Sequence, residues 1–278
     1  MFFQNYTDLN NLLFNNLHKI PNIDLIVGIP RSGMIVATML SEYLDKPCCD
    51  LYSFLNGVEQ KKISITATLP ETDYNNCKTI LLTDDTVASG RAITNAKNLC
   101  MNKNVKVITF VPYVLPSAID KVDIYLLQCF DHYFPWNIFK RPDLMPYACV
   151  DIDGVICPNV PAEFDDDGEK YKEFLTNDKL LVKLQQPVGM FVSGRLEKYR
   201  NITETWLSKN NIQYKYLILL KLNNNIERSR CNIGEYKGQI YMHSNCKIFI
   251  ESSMYEARQI FATSHRPVYC TETGILLQ

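Results

Sequence analysis

The sequence predicts an α/β protein with two domains, each a mainly parallel sheet flanked by helices. Short apolar runs rich in β-branched residues alternate with segments of helical period, which is the pattern of a parallel sheet covered by helices. A length of 278 residues also favours two domains of modest size. A stretch with two prolines at residues 136–146 interrupts the alternation, so the predicted domains are 1–145 and 146–278.

Each half is predicted to contribute four strands to its own sheet. In the first half they cover residues 23–29, 79–84, 105–111 and 122–130. In the second half they cover residues 148–153, 189–192, 214–220 and 247–250, with helices at 197–207 and 253–262. Helical spacing predicts two buried faces in the first half, one of Ile35, Met39, Leu40 and Tyr43 and one of Ile93, Ala96, Leu99 and Cys100.

Composition and charge exclude several classes of function. The formal net charge is −1 and there is no basic run, so we expect no nucleic-acid partner and no anionic-membrane anchor. The N-terminus lacks the features of a signal peptide, and no stretch approaches the roughly 20 apolar residues of a transmembrane helix. Ten cysteines without a C-x-x-C pair and four histidines do not form a zinc-ligand pattern. We therefore expect a cytoplasmic protein with buried thiols.

The first candidate site begins with a glycine turn after the first predicted strand. Residues 28–33, Gly-Ile-Pro-Arg-Ser-Gly, precede a predicted helix, and such a turn can bring backbone N–H groups close to an anion. The two glycines match G-x-x-x-x-G, but Met34 and Ile35 occupy the positions of the Lys and Ser or Thr of a nucleotide-binding P-loop. An ATP-binding loop is therefore disfavoured.

A second motif, Asp84-Asp85 followed by residues 86–91, ends the next predicted strand. Adjacent acids at a strand end point to different sides, which suits the two vicinal hydroxyls of a ribose. The loop that follows offers backbone N–H groups and hydroxyls to a terminal phosphate. The alternative interpretation is a solvated Asp-Asp turn that caps a helix.

Together the two motifs resemble the pyrophosphate loop and the phosphoribosyl-pyrophosphate motif of type I phosphoribosyltransferases. The resemblance implies that Asp84 and Asp85 hold the ribose 2- and 3-hydroxyls. It implies a pyrophosphate loop formed by Gly28, Pro30, Arg31, Ser32 and Gly33, and a 5-phosphate loop formed by Thr86, Val87, Ala88, Ser89, Gly90 and Arg91. Residues 53–75 would be the hood loop over the pyrophosphate, with Lys61 and Lys62 as candidate ligands.

One departure from the family pattern concerns the acceptor. Purine-salvage members carry an acidic residue where this chain has Ala88, so purine salvage is disfavoured. The aromatic segment 130–137 contains one acid and one imidazole, and it could stack on a sugar. Asp131 is the first candidate for the base in the transfer step, and His132 is the second. Packing between the domains explains the same segment equally well.

The second candidate site is the D-x-D-G motif at residues 151–154. Side chains at i and i+2 of a strand point the same way, so Asp151 and Asp153 are predicted to share one pocket. Two such carboxylates can bind Mg²⁺ and divide the roles of nucleophile and proton donor. No further acids recur at the spacing of a calcium-binding EF-hand loop.

This motif resembles motif I of the haloacid dehalogenase superfamily, and three later segments agree with the family order. The resemblance implies that Asp151 is the nucleophile, Asp153 the general acid-base and Ser193 a phosphate ligand, with Gly194 and Arg195 beside the substrate. Lys237 is the first candidate for the motif III cation and Lys221 its rival. Glu251 would complete a magnesium site with Asp151 and Asp153, and Glu256 could assist. Roughly 35 residues separate the first two strands, so any cap is small.

The order of the two sites resembles bacterial fusions of a glycan phosphoribosyltransferase with a phosphoribosyl-phosphatase. The resemblance implies transfer of ribose 5-phosphate from phosphoribosyl pyrophosphate to a lipid-linked glycan, with inversion to a β-ribofuranoside, and then removal of the phosphate. Mg²⁺ would serve both sites, and the acceptor would bring the enzyme to the inner face of the membrane. The alternatives are a nucleobase phosphoribosyltransferase fused to a nucleotidase, and a non-catalytic sensor of phosphoribosyl pyrophosphate. An oligomer is compatible with the sequence.

Overall fold

The computed structural model describes residues 1–58 and 74–278. It contains two compact units, one of residues 2–133 and one of residues 134–278 together with Met1. Most of the predicted loop 53–75 lies outside the described residues, and so do Lys61 and Lys62.

The N-terminal unit is built on a six-stranded sheet with helices along the chain between its strands. Its helices are α1 (Tyr6–Phe14), α2 (Gly33–Leu44), α3 (Leu51–Leu55) and α4 (Arg91–Met101). Its strands are β1 (Leu25–Gly28), β2 (Cys48–Asp50), β3 (Thr79–Thr83), β4 (Thr86–Val87), β5 (Lys106–Val114) and β6 (Ile124–Gln128). The strand order is β2-β1-β3-β5-β4, with β6 also paired to β5, and the pairings are parallel.

Burial in the N-terminal unit follows from the parallel arrangement. All four residues of β1 and four of five in β3 are buried, as expected for strands covered on both faces. The predicted face of α4 is confirmed at Ile93, Ala96 and Cys100, whereas Leu99 is exposed.

Helix α2 turns a different face inward from the one predicted. Its buried residues are Gly33, Val36, Ala37, Leu40 and Ser41. Of the predicted face only Leu40 is buried, and Tyr43 is exposed. The reason is close docking against β1, because a Cβ built at Gly28 would lie 3.0 Å from the Cβ of Ala37. Ala37 therefore lies directly against the strand at Gly28.

The C-terminal unit contains a second six-stranded sheet. Its helices are α5 (Glu169–Asn177), α6 (Arg200–Lys209), α7 (Asn225–Ser229), α8 (Ile233–Met242) and α9 (Met254–Ser264). Its strands are β7 (Ala148–Val150), β8 (Val188–Leu196), β9 (Tyr214–Leu220), β10 (Ile248–Glu251), β11 (Val268–Cys270) and β12 (Ile275–Leu277). The order is β12-β11-β10-β7-β8-β9, parallel except for the antiparallel pair β11–β12. The carboxyl ends of β7, β8 and β10 therefore meet at one edge.

The boundary between the units lies at residues 133 and 134, earlier than the predicted position at 145 and 146. Residues 134–147 form turns that pack with the C-terminal unit. A Cβ at Gly189 on β8 would lie 2.6 Å from the carbonyl oxygen of Pro146, and the Lys247 N–H donates to the Tyr147 carbonyl at 2.6 Å. Pro146 thus stands in a short 3-10 turn against the second sheet, and Pro142 lies exposed in the turn just before it.

Two further predictions concern membranes and thiols. Within the described ranges, no helix is both long and apolar enough to cross a membrane. None of the ten cysteines, all of which are described, forms a disulfide, and seven of them are buried. The prediction of buried thiols is confirmed for those seven.

Candidate functional site

In the N-terminal unit, the loop after β1 lies against the end of β3. A Cβ built at Gly33 would lie 2.7 Å from the carbonyl oxygen of Thr83 and 3.2 Å from Oδ1 of Asp84. A side chain at position 33 would force the loop or the strand to shift, so glycine permits this close approach. The structure therefore brings the two predicted motifs, 28–33 and 84–91, to one edge of the sheet.

The paired acids at this edge are partly shielded from water. The Asp85 N–H donates to Oδ1 of Asp84 at 2.9 Å, and Asp85 is buried. Burial, together with the negative charge of Asp85, raises the pKa of Asp84 to about 8. A cation or hydroxyl donors at this position would favour the ionised form of Asp84.

The loop after the acids has the features of an anion site. Thr86 Oγ1 is buried, and no described residue bonds to it. Gly90 has φ +76° at the start of α4, where a Cβ would lie 2.5 Å from Cγ of Lys121. Ser89 Oγ accepts the Arg91 N–H at 3.4 Å, and the Ala88 carbonyl accepts the Ser117 hydroxyl at 3.1 Å. Backbone N–H groups at the start of α4 add positive potential.

The predicted acceptor segment is divided between the two units. Phe130 is 83% exposed, and Asp131 accepts the Phe2 N–H through Oδ1 at 3.0 Å. Phe134 and Trp136 belong to the C-terminal unit and stack with their ring centroids 4.6 Å apart. A single sugar-binding surface over residues 130–137 remains a prediction.

In the C-terminal unit, the ammonium of Lys237 contacts three carboxylates at the edge formed by β7 and β10. Nζ lies 2.7 Å from Oδ2 of Asp151, 2.7 Å from Oε2 of Glu251 and 2.7 Å from Oε2 of Glu256. Lys237 is 2% exposed on α8, whereas its rival Lys221 is exposed after β9. Lys237 is thus the lysine that the fold brings to Asp151.

Electrostatics within this cluster oppose full ionisation. Burial raises the pKa of Asp151 well above its ordinary value; the positive charge of Lys237 opposes the rise, and the negative charges of Glu251, Asp153 and Glu256 add to it. Burial alone would lower the pKa of Lys237, but the three carboxylates outweigh it and raise that pKa.

Oxygen ligands of the kind that Mg²⁺ prefers are gathered in the same cluster. One carboxylate oxygen each of Asp151, Glu251 and Glu256 lies within 4.8 Å of the others. This donor set fits a hard divalent cation. It differs from the predicted set of Asp151, Asp153 and Glu251, because Glu256 takes the place of Asp153.

The carboxylate of Asp153 is engaged by Arg195 instead. Nε of Arg195 donates to Oδ2 at 2.9 Å and Nη2 donates to Oδ1 at 2.7 Å. Burial disfavours the charged form of Asp153, but the Arg195 charge and hydrogen bonds outweigh it and lower the pKa of Asp153. The reason for the changed ligand set is that β7 ends at Val150, so strand alternation does not extend to Asp153.

Of the three predicted residues near the end of β8, Gly194 lines a cavity, whereas Ser193 and Arg195 do not. Ser193 is fully buried and its Oγ accepts the Arg195 N–H at 3.2 Å. Arg195, predicted beside the substrate, is 1% exposed. Gly194 lines this cavity of about 620 Å³ together with Asp151, Asp153, Lys237, Glu251 and Glu256.

Sequence reasoning missed several residues of this cavity. The further lining residues include Asn159, Arg228, Ile233, Ser252, Thr271 and Glu272. Ser252 could have been found from the strand-end pattern that predicted Glu251, because it directly follows Glu251 at the end of β10. Arg228 stands in no recognisable motif.

Comparison with known proteins assigns the N-terminal part of the chain to a family. Residues 5–141 match the family model described as the phosphoribosyl transferase domain, and a type I phosphoribosyltransferase domain lies within this range. The class of reaction of this domain is phosphoribosyl transfer. No curated protein matches the chain.

Solved structures similar to the chain cover about half of it. A purine phosphoribosyltransferase from Pyrococcus horikoshii is 19% identical over 48% of this chain and 92% of its own, with a TM-score of 0.37. A xanthine-guanine-hypoxanthine phosphoribosyltransferase from Helicobacter pylori is 20% identical over 49% of this chain and 95% of its own, with a TM-score of 0.36.

Proposed function

We propose that this chain is a bifunctional ribofuranosylation enzyme that transfers ribose 5-phosphate to a glycan hydroxyl and then removes the phosphate. The observation that carries the proposal is the contact of Lys237 with Asp151, Glu251 and Glu256, at the edge of a second parallel sheet that follows a phosphoribosyltransferase domain. A product that carries a 5-phosphate is a phosphate monoester. The cavity of the C-terminal unit offers a nucleophile, a cation and carboxylates for the hydrolysis of such an ester.

In the first step, the N-terminal domain binds phosphoribosyl pyrophosphate. Asp84 and Asp85 accept hydrogen bonds from the ribose hydroxyls, residues 86–91 hold the 5-phosphate, and residues 28–33 hold the pyrophosphate. The acceptor oxygen attacks the anomeric carbon from the face opposite the pyrophosphate, which leaves as the new C–O bond forms. The product is a β-ribofuranoside, and Mg²⁺, when bound, offsets charge on the pyrophosphate.

The glycan acceptor is supported by Ala88 and by Asp131. With Ala88 at its position, the loop lacks an acid that could serve a nucleobase nitrogen. One oxygen of Asp131 is engaged by the Phe2 N–H, and no described residue bonds to the other, Oδ2, which can accept the hydroxyl proton. A lipid-linked glycan would bring the enzyme to the inner face of the membrane.

The role of Asp131 can be tested directly. Asp131→Asn keeps an oxygen for the Phe2 N–H but loses the base, so transfer should fall roughly 10²- to 10⁴-fold. Donor affinity, measured by calorimetry with phosphoribosyl pyrophosphate, should be unchanged. Equal transfer rates in Asp131→Asn and the unmodified protein would exclude Asp131 as the base.

In the second step, the C-terminal cavity hydrolyses the phosphate ester. A carboxylate oxygen of Asp151 attacks phosphorus, the bond from phosphorus to the sugar oxygen breaks, and the sugar oxygen takes a proton. Water then attacks the aspartyl-phosphate and gives up a proton, which releases inorganic phosphate and restores Asp151. Lys237 holds Asp151 in place, and Mg²⁺, when bound by Asp151, Glu251 and Glu256, offsets charge on the phosphate.

Asp153 is proposed as the acid and base of this step. Its ionised form, which Arg195 favours, is ready to accept the proton of the attacking water. For the proton-donor role it must first take up a proton, and the contact with Arg195 makes that uptake costly.

Release of pyrophosphate tests the proposal against its main alternative. We expect release from phosphoribosyl pyrophosphate and Mg²⁺ with a glycan acceptor, and its loss when Asp84 and Asp85 are both changed to Asn. Monoester hydrolysis by that double variant should be unchanged. Rapid release with adenine, guanine, hypoxanthine, uracil or orotate would favour a nucleobase phosphoribosyltransferase joined to a nucleotidase.

A further inference from the structure

Arg228 lines the cavity of the C-terminal unit, and some of its N–H groups have no hydrogen-bond acceptor among the described residues. It lies on α7, and its side chain is 33% exposed. Nη1 donates to Oδ1 of Asn225 at 3.2 Å and lies 3.7 Å from Oδ2 of Asp165. Nε is buried and no described residue accepts its hydrogen bond. A buried donor without a partner costs free energy, which a ligand would recover.

The unused donors of Arg228 lie on one edge of the guanidinium. A Cβ built at Gly194 would lie 3.8 Å from Nε and 3.8 Å from Nη2 of Arg228. That edge therefore lies beside Gly194, which itself lines the cavity. Two parallel N–H groups on one edge match the spacing of two oxygens of a phosphate.

The charge of the cavity lining makes this cation important. The lining includes five acids, Asp151, Asp153, Glu251, Glu256 and Glu272, and two cations, Lys237 and Arg228. The three donors of Lys237 are all engaged by carboxylates. Among the described lining residues, Arg228 is thus the side-chain cation that still has N–H groups to offer an anion.

We propose that Arg228 is the phosphate receptor of this cavity, with Nε and Nη2 donating to two oxygens of the substrate's phosphate group. The inference rests on the proposed phosphatase function and deepens it. Pairing with Asp165 alone would not explain the position of the Arg228 side chain. The two side chains are about one-third exposed and 3.7 Å apart, so the pair contributes little stability, and it leaves Nε without a partner. Gly194 has a role in this arrangement, since a larger residue would stand beside the edge that binds the phosphate.

The test uses ribose 5-phosphate as substrate and inorganic phosphate as competitive inhibitor, with the full chain and Mg²⁺. Charge-assisted hydrogen bonds of this kind correspond to roughly a 10- to 100-fold change in affinity. We expect Arg228→Gln to raise both KM and the inhibition constant of phosphate by that factor, with a smaller effect on kcat. Arg228→Lys should recover part of the loss, because it restores the charge without the paired donors.

Arg230 provides the matched control, since it is exposed two residues further along the chain and does not line the cavity. Arg230→Gln should leave both constants unchanged, and phosphoribosyl transfer should persist in all three variants if they fold. Unchanged constants in Arg228→Gln, or an equal rise in Arg230→Gln, would overturn the inference alone. Hydrolysis that survives Asp151→Asn would overturn the proposed function itself.

Discussion

Arg195 donates two hydrogen bonds to the carboxylate of Asp153, from Nε to Oδ2 at 2.9 Å and from Nη2 to Oδ1 at 2.7 Å. The guanidinium is almost entirely buried, and it also contacts the sulfur of Cys157 at 3.2 Å. Such a buried ion pair adds little net stability, but loss of one partner leaves a charge without compensation. The pair therefore fixes both the position and the charge of Asp153.

Removal of the Arg195 charge should destabilise the C-terminal unit. We expect Arg195→Met to cost at most about 3 kcal/mol, because Asp153, whose side chain is 19% exposed, would lose its partner in a partly buried position. Addition of Asp153→Asn to that variant should recover part of the loss. Thermal unfolding of the full chain measures both effects. Arg230→Met, at an exposed site, is the control and should change stability by less than about 0.5 kcal/mol. If the double variant is no more stable than Arg195→Met, the ion-pair explanation is wrong.

The raised pKa of Asp84 should make stability depend on pH. The folded protein holds a proton on Asp84 up to about pH 8, whereas the unfolded chain releases it near its ordinary value of 3.8. Stability from this group is thus present at low pH and is lost as pH rises towards 8. Asp84→Asn, which cannot ionise, should raise Tm at pH 8.5 and change it less at pH 5.

Asp120 is the control for this pH dependence, because it is exposed and its hydrogen bond with Lys121 lowers its pKa. The Tm of Asp120→Asn should differ from that of the unmodified protein by the same amount at pH 5 and at pH 8.5, since Asp120 is ionised at both pH values. A Tm difference for Asp84→Asn that is equal at pH 5 and pH 8.5 would contradict the assignment of a raised pKa to Asp84.

The close approach of Gly33 to β3 predicts sensitivity to a single methyl group. Gly33→Ala places a Cβ 2.7 Å from the Thr83 carbonyl oxygen, so the donor loop must shift, at a cost of about 1–3 kcal/mol. We expect weaker binding of phosphoribosyl pyrophosphate in calorimetry and slower transfer. Gly168→Ala, whose Cβ would meet a flexible Asp166 side chain at 3.3 Å, should bind the donor normally. Normal donor binding by Gly33→Ala would contradict the proposed position of the pyrophosphate loop.

The order of strand ends explains why so much of both sites could be predicted. The glycine turn at 28–33 and the acids Asp84 and Asp85 each follow an apolar strand, and parallel strands end at one edge of a sheet. The same reasoning predicted Asp151 and Glu251 at the edge of the second sheet. These residues were predictable because their positions depend on local pattern and on strand direction alone.

Other features depend on tertiary packing, which no local pattern encodes. Lys237 could not be chosen over Lys221 without knowing where α8 lies in the fold. The contact of the buried Arg195 with Asp153 likewise depends on the path of the chain after β7. Arg228 lies on a five-residue helix between two larger elements, where spacing carries no information about a pocket. The buried face of α2 was predicted from helical spacing, but the docking of Ala37 against β1 turns a different face inward.

The central claim is that one chain adds a phosphorylated ribose and then removes the phosphate. The most direct measurement is the mass of the glycan product formed from phosphoribosyl pyrophosphate and Mg²⁺ by Asp151→Asn and by the unmodified protein. We expect Asp151→Asn to accumulate a product heavier than that of the unmodified protein by one phosphate group. Identical product masses from the two proteins, or no product from Asp151→Asn with an acceptor that the unmodified protein uses, would contradict the two-step account.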